Sequence, residues 1–296
     1  ENGESKTLSL KLRTRGNYRR DPENCSFAPI RLNFRVSEVD GTLFDGQDKL
    51  KLVTHCRTSD VRFEQLVARE YVAYRLLHEI TSVSYAVRMF RITYVDTEGG
   101  EELRRLGFVI EDDEAVAARN NLQVVETRFI APEQLDAARQ NLIHVFEYLI
   151  GNTEYSFVNP EPDKACCHNM DMLSASGEPP YLPLPFDYDF SGLVNAPYAQ
   201  PNPRYPIPVV RMRFYKGMCA NNEQLQETLL LFRQHRDALK RVIDESRFLS
   251  GKSRRSVRQY IDSFYRVITN PKSVERDLLE KCHVREDVYG PADVVP

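Results

Sequence analysis

Three short clusters in the middle of the chain hold the oxygen-bearing side chains from which chemistry could be built. They are Gly151-Asn152-Thr153-Glu154-Tyr155-Ser156, His168-Asn169, and Phe186-Asp187-Tyr188-Asp189-Phe190-Ser191-Gly192. A carboxylate, a carboxamide and two more carboxylates on separate segments can converge on one hard cation. Mg2+ with phosphate suits that set, because the ion takes oxygen ligands and keeps several waters. The six cysteines offer no comparable thiolate site, since they include no Cys-x-x-Cys pair and no Cys/His spacing for tetrahedral zinc.

The elements that must position these clusters follow from periodicity. A helical stripe of Leu135, Ala138, Leu142, Val145, Phe146 and Leu149, with Pro132 in its first turn and Gly151-Asn152 as its stop, leads into the first cluster. Two short extended segments around a turn at Ser176-Gly177 carry the second and third. Five prolines between 196 and 208 predict an ordered, polyproline-like surface loop. Helices are expected over 222–247 and 254–269, with a shorter one after Pro271 and no internal repeat. Upstream, Leu8, Leu10 and Leu12 alternate with polar residues, as do Ile30, Leu32 and Phe34, and a third strand is expected over 50–53. Val61 to Ile80 changes to a helical stripe with Asp60 as N-cap. Strands over 87–95 and 106–110 follow, separated by the Gly99-Gly100 turn. The acidic run 111–114 marks the expected boundary.

Composition bounds the rest. With 296 residues, 42% of them hydrophobic, and only 13 glycines, the chain can build one large domain or two packed lobes. Forty Lys+Arg against 43 Asp+Glu leave a formal charge of -3, so no overall basic field points to nucleic acid. The basic run from Lys252 to Arg258 lacks an interleaved aromatic until Tyr260 and reads as a solvated helix start. No apolar stretch reaches the roughly 20 residues needed to cross a bilayer. An opening at Glu1 rather than Met fits a processed or truncated product. The even cysteine count suits either a disulfide framework or buried thiols.

The ordered motifs resemble the protein-kinase-like CotH family of bacterial spore-coat and secreted proteins, more distantly HipA-like kinases. The resemblance rests on Arg15-Gly16-Asn17, Pro29 to Phe34, Arg69-Glu70-Tyr71-Val72-Ala73, Gly107 to Asp112 and, above all, the three central clusters. It spans about residues 8–245. It implies an α+β, two-lobed kinase-like fold. The small lobe, 1–112, would hold an antiparallel sheet with one helix, and the larger, mainly helical lobe would occupy 113–296. It further implies an ATP- and Mg2+-dependent phosphotransferase acting on a protein or small secreted substrate, in a periplasmic or secreted setting. In that assignment Asp187 holds the metal and Asn169 completes its shell. Glu154 stands at the catalytic base. Arg31 pairs the phosphates, with Lys49 and Lys51 as alternates. Glu70 orients that cation, and the backbone near Glu111 meets the adenine.

Two departures matter. Glu154 is one methylene longer than the Asp of the family pattern, and the 15-residue step from Glu154 to Asn169 exceeds the usual separation. A displacement of about 1 Å can cost on the order of 100-fold in rate, and Arg for Lys changes how phosphate is met. A catalytically impaired pseudokinase, or a non-catalytic interaction protein presenting the loop 196–208, is therefore the alternative. A metal-dependent hydrolase using Asp187, Asp189 and His168 is a third reading. In an exported chain Cys25 would pair with Cys56, and Cys166 or Cys167 with Cys219 or Cys282, because vicinal cysteines rarely bond to each other.

Overall fold

The computed structural model describes residues 5–16, 18–157 and 166–284. Asn17 of the early motif lies outside them. The chain is α+β and divides into two compact units, one formed by residues up to Ala68 with Val87–Asp112, the other by Arg69–Ala86 with the chain from Asp113 on.

The first unit is an antiparallel sheet of β1 (Leu10–Thr14), β2 (Ile30–Phe34), β3 (Lys49–Val53), β4 (Val87–Val95) and β5 (Glu102–Ile110), in the order β1-β2-β3-β5-β4. Alternation places Ile30, Leu32 and Phe34 on the same face as Leu50 and Leu52. They pack there with Val109, Phe90, Ile92 and Phe44. The short helix α1 (Val36–Val39) adds Val39 to this core. Leu10 and Leu12 keep the alternation but stand at the sheet edge, 36% and 62% exposed, so this strand is not half-buried as its pattern suggests. Gly107 is required by packing, since a Cβ there would sit 3.0 Å from the Val53 carbonyl and 2.8 Å from Ile92 Cδ1.

Helix α2 (Phe63–Ile80) starts two residues later than its stripe suggests. Asp60 spends its carboxylate on the backbone and guanidinium of Arg62, and Phe63 N–H closes the turn onto Asp60 O at 3.1 Å. From Arg69 onward this helix belongs to the second unit.

In the second unit, the acidic run is no bare linker, because Asp113 and Glu114 open α3 (Asp113–Arg119), where carboxylates suit the N-terminal end of the helix dipole. The helix expected from Pro132 begins later. Pro132–Gln134 form a separate 3-10 turn, Asp136 caps by accepting from Arg139 N–H at 2.7 Å, and α4 runs Ala137–Ile150. A small antiparallel sheet, β6 (Gln123–Val124), β7 (Met170–Ser174) and β8 (Leu182–Pro185), lies beside it. Pro183 and Pro185 fit β8 because that strand is an edge. The segment expected as one helix over 222–247 is two, α5 (Asn222–Gln234) and α6 (Arg236–Asp244), which meet at His235. Then come α7 (Gly251–Ile268) and α8 (Pro271–Val274), the latter running into a π-helical turn at Glu275–Leu279. Val145, Phe146, Leu149, Leu229, Phe232 and Phe264 are fully buried where α4, α5 and α7 meet.

Cys25 and Cys56 are bonded, Cα to Cα 4.7 Å. The other expected pairing is overturned, because Cys219 bonds Cys282 and Cys166 bonds Cys167. A β-bridge between Met218 and His283, closed by Cys219 N–H to His283 O at 3.0 Å, sets Cys219 beside Cys282 and leaves the adjacent pair to each other. Among the described residues no helix is long and apolar enough to cross a membrane.

Candidate functional site

The site segments of the second unit start where α4 stops. Gly151 takes a left-handed conformation (φ 66°), and its N–H returns to the α4 carbonyls of Glu147 and Tyr148. A side chain is excluded on a second ground, because a Cβ at Gly151 would overlap the Tyr260 hydroxyl, as would one at Gly192. Gly192 N–H donates to Gly151 O at 2.9 Å, so the first and third clusters are joined backbone to backbone against one tyrosine.

Asn152 Oδ1 then accepts Glu154 N–H at 3.0 Å, an Asx turn that aims the Glu154 side chain. Its carboxylate is engaged on both oxygens: Asn202 Nδ2 donates to Oε1 at 3.2 Å, and His168 Nε2 lies 3.5 Å from Oε2. Asn169 donates its amide to Glu154 O at 2.7 Å, which ties the second cluster to the first, and Phe186 N–H donates to Asn169 O at 3.1 Å, which ties it to the third.

Two residues of this set hold backbone conformations that non-glycine residues seldom adopt, Asn169 at φ 52° and Asp187 at φ 64°. Asn and Asp tolerate the left-handed region better than other side chains, and such outliers gather at functional sites. Asp187 N–H donates to the Tyr74 hydroxyl at 2.9 Å, which fixes this conformation from α2. Asp189 is different. It is buried, receives the Tyr198 hydroxyl at 2.9 Å, and serves the packing of the segment after β8.

Metal fit can be read from the donors. Among the described residues no three His, Cys, Asp or Glu side chains converge on a metal position. Asp187 and Asn169 would supply two oxygen ligands at most, a set that fits Mg2+ only where water and phosphate supply the rest. A bridging two-metal arrangement needs more carboxylates than this and does not fit.

The other expected residues lie as follows. Glu70 is buried on α2 in the second unit. In the first unit Arg31 stands on β2 directly opposite Lys51 on β3. Lys49 pairs with Asp48 at 3.1 Å, and Glu111 follows the end of β5.

Sequence reading missed Lys216. It is buried, donates to Thr153 O at 3.2 Å and to Tyr155 O, and lies 3.9 Å above the Tyr155 ring. Burial pulls its ammonium down to about 7. The only hint of it is a lysine set among aromatic and apolar residues in Phe214-Tyr215-Lys216-Gly217-Met218.

On α4, Glu147 is 1% exposed, and burial outweighs the Asn152 side chain and the Lys216 charge, both of which favour its ionised form. Desolvation lifts it from 4.5 to about 8. The folded chain therefore holds a proton here that the unfolded chain releases above about pH 4.5, so stability falls as pH rises from there to about 8. Glu147→Gln removes that slope. Lys216 is protonated in both states below about pH 7 and does not offset it. Between pH 5 and 6.5 the variant should gain about 2 kcal/mol over the parent, read by denaturant unfolding at the two pH values. A constant difference would show that Glu147 is ionised in the fold.

No family model matches the chain, and no curated protein matches it.

Proposed function

We propose that this chain is an ATP- and Mg2+-dependent phosphotransferase of the CotH kinase-like type, acting on a protein or small exported substrate. The observation that carries the reading is the joined pair Asn169 and Asp187. Both are left-handed, both are oxygen donors, they are coupled through Phe186 N–H, and no described residue takes the Asp187 carboxylate. Rigid, unusual backbone that presents free oxygen ligands is what metal–phosphate chemistry requires, because phosphoryl transfer depends chiefly on positioning and charge stabilisation. The three strands, helix and two strands of the early chain support the kinase-like small lobe that the resemblance implies.

Bound Mg2+ with ATP would supply the transferable phosphoryl group and neutralise part of its charge. Asp187 and Asn169 would hold the ion, and Lys216 fixes the backbone of the Glu154 loop. The resemblance assigns the phosphate-pairing cation to Arg31, Lys49 or Lys51, its orienting acid to Glu70 and the adenine contact to Glu111.

One observation favours the impaired alternative. Asn202 and His168 hold the Glu154 carboxylate, so an acceptor hydroxyl has to compete with both for its lone pairs. Glu154→Gln decides between the two. In a working phosphotransferase it lowers ATP-dependent phosphoryl transfer by about 100-fold or more while ATP binding persists. If the parent chain binds Mg-ATP but neither it nor the variant turns ATP over, the chain is a nucleotide-binding pseudokinase.

A further inference from the structure

Over β1, β2 and the first residues of β3 the face opposite the cluster of Leu32, Phe34 and Leu50 is basic, whereas over β5 that same face carries buried Phe108 and Ile110. Cross-strand register sets Lys11, Asn33 and Lys49 in one row over β1, β2 and β3, and Arg13, Arg31 and Lys51 in the next. Like charges directly opposite each other destabilise a sheet, so Arg13 facing Arg31 calls for a compensating anion. Two carboxylates of this unit are spent on other groups. Asp48 takes Lys49 at 3.1 Å, and Glu38 takes Arg35 at 3.1 Å and the Ser9 N–H at 3.2 Å, all near the surface. Between them lies a groove of about 460 Å³ whose wall holds Lys11, Arg13, Arg35 and Lys49 with Ser9 and Asn33, along with Leu10 and Phe34, and no acidic residue.

This groove follows an open edge. Among the described residues β1 pairs with β2 alone. Arg15 N–H donates to Pro29 O, and Asn33 Nδ2 donates to Lys11 O, so the odd-numbered residues turn their backbone groups toward β2. By the alternation of an antiparallel pair, Leu10, Leu12 and Thr14 turn theirs outward. Their side chains also belong to the other face, where Leu12 is 62% exposed.

We infer that β1 is a docking edge for an extended polypeptide strand in which acidic and apolar residues alternate. Added beside β1, such a strand places every second side chain over the Lys11–Arg13 face, at the roughly 7 Å repeat those cations themselves have, and the intervening ones over Leu10 and Leu12. A phosphate or sulfate polymer would satisfy the cations but leave both leucines and the outward N–H and C=O groups unmatched. A second copy of β1 would set Lys11 and Arg13 against their own kind. The partner is thus a segment of another protein, chosen by alternation and by charge. Arg31, Lys49 and Lys51 are shared with the nucleotide reading, but the inference rests on Lys11, Arg13 and the outer edge of β1, which that reading does not use.

The test uses a fluorescent synthetic peptide alternating Glu and Val, its scrambled isomer, an alternating Lys–Val peptide and a heparin fragment, with anisotropy measured on the full chain. Saturable binding of the Glu–Val peptide, about tenfold tighter than the scrambled isomer, is expected. Leu12→Pro removes an outward N–H and leaves the β1–β2 ladder intact, as proline permits on an edge strand; it should abolish that preference. The double variant Lys11→Glu with Arg13→Glu should lose the Glu–Val peptide and gain the Lys–Val one, a swap that also shows the variant folds. Absence of saturable binding overturns the inference. So does equal binding of the scrambled peptide, or heparin binding with the Glu–Val signal unchanged in Leu12→Pro, since either means a polyanion surface only. Self-association lost in Leu12→Pro would assign the edge to a second copy instead.

Discussion

Asp187→Asn leaves the chain folded and removes its response to Mg-ATP. Asparagine keeps the left-handed backbone that Asp187 holds at φ 64° and the N–H that Tyr74 accepts, so the substitution takes away the negative charge and little else. In the parent chain, ligand at 100 times its dissociation constant should raise unfolding free energy by about 2.7 kcal/mol. In the variant that gain should vanish with Mg-ATP, while the unliganded midpoint moves by little. Thermal unfolding with ATP alone, Mg2+ alone and both, on the two proteins, reads this directly. A parent chain with no metal-dependent gain would refute the nucleotide reading, whereas a gain that survives in Asp187→Asn would move the metal to other ligands.

Arg213→Ala should be among the most destabilising single changes in the second unit. The guanidinium donates to Tyr148 O at 2.9 Å and Leu149 O at 3.1 Å, two of the last carbonyls of α4, and also to Tyr260 O and the Ser263 hydroxyl of α7, both at 2.6 Å. It stacks 3.8 Å from the centre of the Tyr260 ring. Without the guanidinium Tyr148 O keeps only the 3.3 Å bond from Gly151 N–H, and hydrogen bonds to a charged group are each worth about 1.5–3 kcal/mol. Burial works against the charge, so the sum is discounted to a loss of about 3–5 kcal/mol. Denaturant unfolding measures it, and Arg213→Lys should recover less than half, because one ammonium cannot span two helices as a planar fork does. A loss below about 1 kcal/mol would mean that desolvation cancels the contacts. Tyr260 is also the residue against which Gly151 and Gly192 pack, so the same change should loosen the loop that carries Glu154.

Much of the secondary structure was legible because period and burial agree where an element has one wet and one dry side. Ile30, Leu32 and Phe34, or the run from Val87 to Val95, could be placed from alternation alone. The same alternation misleads at Leu10 and Leu12, since it records which way side chains point and not whether the strand lies at an edge. Pro132 reads as a helix start because proline suits a first turn, yet Asp136 is the better cap and wins by bonding Arg139 N–H. The break at His235 leaves no mark in an apolar stripe that runs on through both helices.

The site was legible in its parts and opaque in its joints. Asn and Asp at strand ends are ordinary turn formers in a sequence, and only backbone angles distinguish Asn169 and Asp187 from the rest. Lys216 could not be found, because what it binds is the main chain of Thr153 and Tyr155, more than sixty positions away, and main chain has no sequence signature. Glu154 was visible as a departure from a pattern, but its engagement by Asn202 depends on how the proline-rich loop folds back.

The Cys219–Cys282 bond has a mechanical meaning. It closes α5, α6, α7 and α8 into a covalent loop. Tension applied to the chain on either side of that loop passes through sulfur and bypasses the helices inside it. A pulling experiment on the oxidised chain should therefore extend it by less than its full contour, with the four helices shielded from load until a reductant restores the missing length.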